Sequence, residues 1–141
     1  MAEKAGKKTP KVRLAREAPG AQAEWFQDTR RKFDQLLDLP PNWDGYGARA
    51  MDPAVLERAL RVLLDVVPLS APSPYVVPSP AGGVQVEWHE PACDIEIEFK
   101  VDGTASFYME MDDREIEESA AVAGIVQLVR QNLGLVFSDP Q

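Results

Sequence analysis

A single cysteine, a single histidine and no apolar run near the ~20 residues of a membrane span remove several classes of function from this 141-residue chain. Cys93 has no partner for an intrachain disulfide and no companion thiols for a Cys-based zinc site, which fits a reducing cytoplasm, the expected compartment. His89 leaves no second imidazole to activate Cys93 or a serine as a nucleophile, so covalent catalysis is poorly served. Positive charge is also scarce once the first residues are passed. Lys4, Lys7, Lys8, Lys11, Arg13 and Arg16 against Glu3 and Glu17 leave residues 1–18 at +4, so the rest of a chain of net charge −8 carries −12. A body of that sign repels nucleic-acid phosphates and anionic membranes, so neither is an expected partner of the domain, and a basic protein is.

What is present is ordinary apolar content, 45%, enough for one domain with a real core. Residues 1–20 contain two prolines and two glycines and few apolar groups, which predicts a flexible basic tail without the apolar centre of a secretory signal. Residues 21–141 are then a single α+β domain. Trp25, Phe26, Thr29, Phe33, Leu36 and Leu37 share one side of a helical pattern that Pro40 and Pro41 stop. Asp52 as cap and Pro53 as first helical residue start a second helix, with Val55, Leu56, Ala59, Leu60, Leu63, Leu64 and Val67 as its buried stripe.

The five prolines of residues 68–80 exclude a helix and a central strand and leave Tyr75, Val76 and Val77 as a short edge strand. Three strands follow in GVQVEWH, CDIEIEFKV and TASFYMEM. From Asp113 to Leu133 the pattern predicts a helix, with Asp112 and Glu115 at capping-box spacing, Ile116, Val122, Ile125, Val126, Val129 and Leu133 inward, and Gly134 as the stop. The expected fold is α+β: two N-terminal helices, a three- or four-stranded antiparallel sheet, and a C-terminal helix packed on one sheet face.

Two short motifs stand out, Asn42-Trp43-Asp44-Gly45-Tyr46-Gly47-Ala48 and Gly82-Gly83-Val84-Gln85-Val86-Glu87-Trp88. In this pair, over roughly residues 33–110, the chain resembles a group of small, mostly uncharacterised bacterial proteins with an N-W-D-G-x-G-A loop and a G-G-x-x-x-E-W hairpin. The resemblance implies a fold and no particular chemistry. Physically, Asp44-Gly45 signals a turn, and Gly45 and Gly47 can take positive φ. Trp43 is then expected to be a buried anchor for the connection, rather than a ligand platform with Asp44 as acceptor. No phosphate loop accompanies it, since the glycines lack a preceding strand.

Strand register follows from side-chain direction. A Pro91-Ala92 turn pairs Glu90 with Cys93, Trp88 with Ile95, Glu87 with Glu96 and Val86 with Ile97. For the next turn a three-residue bulged loop is preferred, setting Phe99 against Phe107, Ile97 against Met109 and Ile95 against Met111. One sheet face is then core, with Trp88 in it. The other collects Gln85, Glu87, His89, Asp94, Glu96, Glu98, Tyr108 and Glu110, with Glu87, Glu96 and Glu110 expected in one row. Like charges opposite each other destabilise a sheet. Solvation of flexible glutamates is the plain account, and a docking surface for a basic partner is the functional one.

No catalytic residue, metal site or cofactor is assigned. The expected function is a non-enzymatic protein-interaction module, a regulator or an inhibitor or accessory subunit of antitoxin-like or defence-associated type, using Glu87, His89, Asp94, Glu96, Glu98, Tyr108 and Glu110. The alternative is a minor enzyme or metal-dependent hydrolase using His89 with Asp94 and Glu96, which a flat open sheet serves poorly because it lacks enclosure.

Overall fold

The computed structural model describes residues 20–137, so the basic tail lies outside the described residues except for Gly20. Helix α1 spans Glu24–Leu36 and α2 spans Pro53–Val66. Asp52 caps α2 as its type predicts, its carboxylate accepting the Ala54 N–H at 2.9 Å, with Pro53 filling a position that needs no donor. Trp25, Phe26, Thr29 and Phe33 of α1 and Val55, Leu56, Ala59, Leu60 and Leu63 of α2 are buried, while Leu36, Leu37 and Leu64 are half-buried at the margin.

A five-stranded antiparallel meander follows: β1 Tyr75–Pro78, β2 Val84–Glu90, β3 Cys93–Phe99, β4 Thr104–Met111 and β5 Arg114–Ala121, paired in chain order. Helix α3, Val122–Val136, then packs on the sheet and against α2. Val84, Val86, Trp88, Ile95, Ile97, Phe99, Phe107 and Met109 point into the core beside the helices. Each large side chain so buried stabilises the fold by about 2–3 kcal/mol. Trp88 does more than fill space. Its indole N–H donates to the Pro72 carbonyl at 2.7 Å and its ring lies 5.7 Å from that of Phe137, tying the proline-rich segment and the end of α3 to the sheet.

The β2–β3 register is the expected one, Glu90 to Cys93 through Val84 to Phe99. The β3–β4 register differs by two residues: Phe99 faces Ala105, Ile97 faces Phe107, Ile95 faces Met109 and Cys93 faces Met111. The reason lies in the turn. Asp102 accepts the Thr104 N–H at 2.9 Å and its hydroxyl at 2.6 Å, and Lys100 N–H donates to the Thr104 carbonyl, so the loop is Val101-Asp102-Gly103 and Thr104 already belongs to β4. An even shift keeps every side chain on its expected face.

The larger correction is β5. The segment Arg114–Ala121, expected as the first half of a helix, is a strand, and only Val122–Val136 is helical, with Gly134 inside the helix rather than ending it. Asp112 is no helix cap: at φ 55° it begins a two-residue turn that pairs Met111 with Arg114. Glutamate and alanine favour helices locally, but a helix here would leave the outer edge of β4 without backbone partners. Ile116, placed opposite Met109, is half-buried rather than part of a helical stripe, whereas Ile125, Val129 and Leu133 are buried as expected. Arg130 fixes the helix by an ion pair with Asp65 at 2.6 Å.

Candidate functional site: the open acidic face

Alternation along β2, β3 and β4 sends every second side chain away from the helices. The ladder then fixes which of them are neighbours. Tyr75, Glu87, Glu96, Tyr108 and Glu117 form one row across all five strands, and His89, Asp94, Glu110 and Glu115 form the next. Glu110 therefore stands opposite Asp94 and Glu115, not in the row of Glu87 and Glu96. Glu98 lies between Gln85 and Ser106, and Ser106 meets Ser119 at 2.8 Å between hydroxyls. The face brings together all eight residues expected of it, the seven candidate docking residues among them, and adds Glu115 and Glu117, which reading β5 as a helix had placed elsewhere. The Asp112-Asp113 pair directly after a strand was the signal that could have found them, since aspartate tolerates the positive φ of a tight turn.

Part of the acidity is answered within the face. His89 lies between two carboxylates, Nδ1 2.8 Å from Asp94 and Nε2 2.8 Å from Glu87. Both ring nitrogens can donate only as imidazolium. Asp94 first, then Glu87, hold its pKa above the ordinary histidine value through these hydrogen bonds. The Tyr75 ring lies 5.8 Å from the imidazole, so the edge strand flanks the clamp. Glu87, 17% exposed, also accepts from the Gln85 amide.

The other end of the row is less well served. The Tyr108 hydroxyl reaches Glu110 at 3.2 Å and Glu115 at 3.1 Å, but one proton serves one carboxylate at a time. Partial desolvation, then the hydrogen bond to Glu115 and the charge of Glu110, push the Tyr108 phenol up to about 12. Among the described residues no side-chain donor meets Glu96, Glu98 or Glu117. Among the described residues, the centre of the face is thus negative charge with no side-chain donor to answer it.

The geometry gives the hydrolase alternative little to work with. His89 meets Asp94 but not Glu96, and neither ring nitrogen is left for a substrate or a metal ion. Among the described residues no three His, Cys, Asp or Glu side chains are placed to hold a metal. Cys93 is buried at the start of β3, and burial, then the charge of Asp94, raises its thiol pKa, the opposite of an activated nucleophile. In a cleft of about 290 Å³ at one end of the face, lined by Ser79, Gly83, Glu98, Lys100 and Asp102 among others, the Ser79 hydroxyl accepts the Ala81 N–H at 3.3 Å.

The chain just after the 42–48 loop meets the chain that leads into β2. Arg49 N–H donates to Pro80 O at 2.8 Å and Asp52 N–H to Gly82 O at 3.3 Å. Within the loop, the Asp44 carboxylate accepts the N–H groups of Tyr46 (2.8 Å) and Ala48 (3.1 Å), the Asn42 side chain accepts that of Gly47 (2.6 Å), and Gly45 and Gly47 take φ of 80° and 87°. Trp43 is half-buried, not the buried anchor expected, because its indole lies along the loop and donates to the Arg49 carbonyl at 3.0 Å. Tyr46 is 92% exposed.

No family model matches the chain, and neither curated proteins nor solved structures give a match.

Proposed function

We propose that the protein is a non-enzymatic interaction module, a regulator or inhibitor whose open sheet face docks a basic protein. The observation that carries this reading is the pairing of like charges directly across the ladder, Glu87 with Glu96, Asp94 with Glu110 and Glu110 with Glu115, on a face where, among the described residues, His89 answers only Glu87 and Asp94. Such pairs oppose folding. A cationic partner removes the repulsion on binding, and the same field accelerates encounter.

The test compares equal charge removed from two places. Glu96→Gln with Glu98→Gln takes two charges from the face, and Glu24→Gln with Glu57→Gln takes two from the helices. With a ten-lysine peptide as probe, the face variant should bind roughly tenfold more weakly, chiefly through slower association, with a shallower salt dependence. The helix variant should bind as the parent does. Equal weakening in both would mean that net charge alone is sensed, and the docking reading would fall.

A further inference from the structure

The two edges of the sheet are built differently. β1 is four residues long, ends at Pro78 and follows Pro74, whose carbonyl accepts from Lys32 of α1 at 3.0 Å. Proline and a covering helix are ordinary means of closing a sheet edge. β5 has eight residues, no proline and, among the described residues, no strand on its outer side.

Its backbone polarity is readable. Met111 and Arg114 close a two-residue turn, and Val122 N–H donates to Gly103 O at 3.2 Å in the same register. Even-numbered residues of β5 therefore make the ladder bonds to β4, and Glu115, Glu117 and Ser119 direct N–H and C=O outward. The side chains of these same three residues stand on the acidic face. A free backbone edge and a row of carboxylates coincide on one strand.

We infer that β5 accepts a basic extended segment of a partner protein as a sixth strand, with Lys or Arg at every second position extending across the acidic face. This rests on the docking reading and names its geometry. Main-chain bonds to Glu115, Glu117 and Ser119 supply affinity, and the alternate basic side chains supply selectivity. A second copy of this chain is a poor occupant, because antiparallel addition of β5 to β5 would set glutamates against glutamates.

The probe is an N-acetylated ten-residue peptide alternating lysine and valine, with a glutamate–valine peptide as control, and the readout is amide hydrogen exchange of the whole chain by NMR. In the free protein the Ile116 and Glu118 amides should exchange slowly and the Glu117 and Ser119 amides fast. Saturation with the lysine peptide should slow the latter two roughly tenfold or more. Ser119→Pro keeps every charge and deletes one outward donor, which an edge strand tolerates, and should weaken the peptide about tenfold. Binding without protection of Glu115, Glu117 and Ser119, or equal binding of the control peptide, overturns the inference. Exchange in the parent protein decides the matter even if Ser119→Pro does not fold. Protection at β5 that is indifferent to Glu96→Gln with Glu98→Gln would keep the edge and discard the face. Loss of affinity in that variant without β5 protection would do the reverse, and no binding at all would discard both.

Discussion

A Cβ placed on Gly83 would stand 2.3 Å from the carbonyl oxygen of Phe99. The chain entering β2 thus crosses the end of β3 at a distance only glycine allows, next to the point where the loop after α1 bonds to Pro80 and Gly82. Gly83→Ala should destabilise by more than about 2 kcal/mol, since rigid backbone rather than a flexible side chain must move. Gly103→Ala meets no atom within 4 Å and should cost only about 1–2 kcal/mol, for its φ of 89°. Urea unfolding of the two variants side by side measures the difference, and equal losses would show that the crossing is not tight.

The His89 clamp makes stability depend on pH in a definite sense. Its folded pKa is raised, so the folded state binds the proton more firmly than the unfolded chain. The stabilisation is complete below the unfolded histidine pKa and is lost as pH rises through the higher folded value. NMR titration of the His89 ring should give a pKa above that of an unstructured histidine. Asp94→Asn should lower it more than Glu87→Gln, because the Asp94 hydrogen bond is the larger cause. A ring that titrates at the unstructured value would mean the clamp is open in solution.

The loop at residues 42–48 holds itself in shape through its own backbone. Trp43→Phe removes the N–H bonded to Arg49 and should cost about 1 kcal/mol, and Asp44→Ala, which releases two N–H groups, about 1–2 kcal/mol. Tyr46→Ala, at a nearly fully exposed position, should change stability by less than about 0.5 kcal/mol. Thermal melts of the three check the order. A Tyr46 variant as damaged as the Asp44 one would point to an outside contact.

Much of this molecule was legible because short-range rules sufficed. Asp52 and Pro53 mark a helix start that depends on nothing beyond the next turn, and strict alternation in VQVEWHE and CDIEIEF leaves only one way to bury Trp88, Ile95 and Ile97. The acidic face followed from the same alternation, which is why its eight expected residues remain together although the β3–β4 register differs by two. Side-chain period in a strand is two, and an even slip cannot move a residue to the other face.

Tertiary structure decided the rest. The segment REIEESAA carries local preferences for a helix and an alternation too weak to outweigh them, and it became a strand because β4 offered an unpaired backbone edge and a place beside Met109 and Ala105 for Ile116 and Ala120. Trp43 likewise has the composition of a core anchor but lies half-buried along its own loop, its indole N–H taken by the Arg49 carbonyl, while Arg49 itself is held by chain some 30 residues further on. Periodicity therefore settled which residues of β2, β3 and β4 share a face, but not those of β5. Which of them touch, and where the sheet ends, was set by backbone hydrogen bonds between segments distant in sequence, whose energies no local pattern contains.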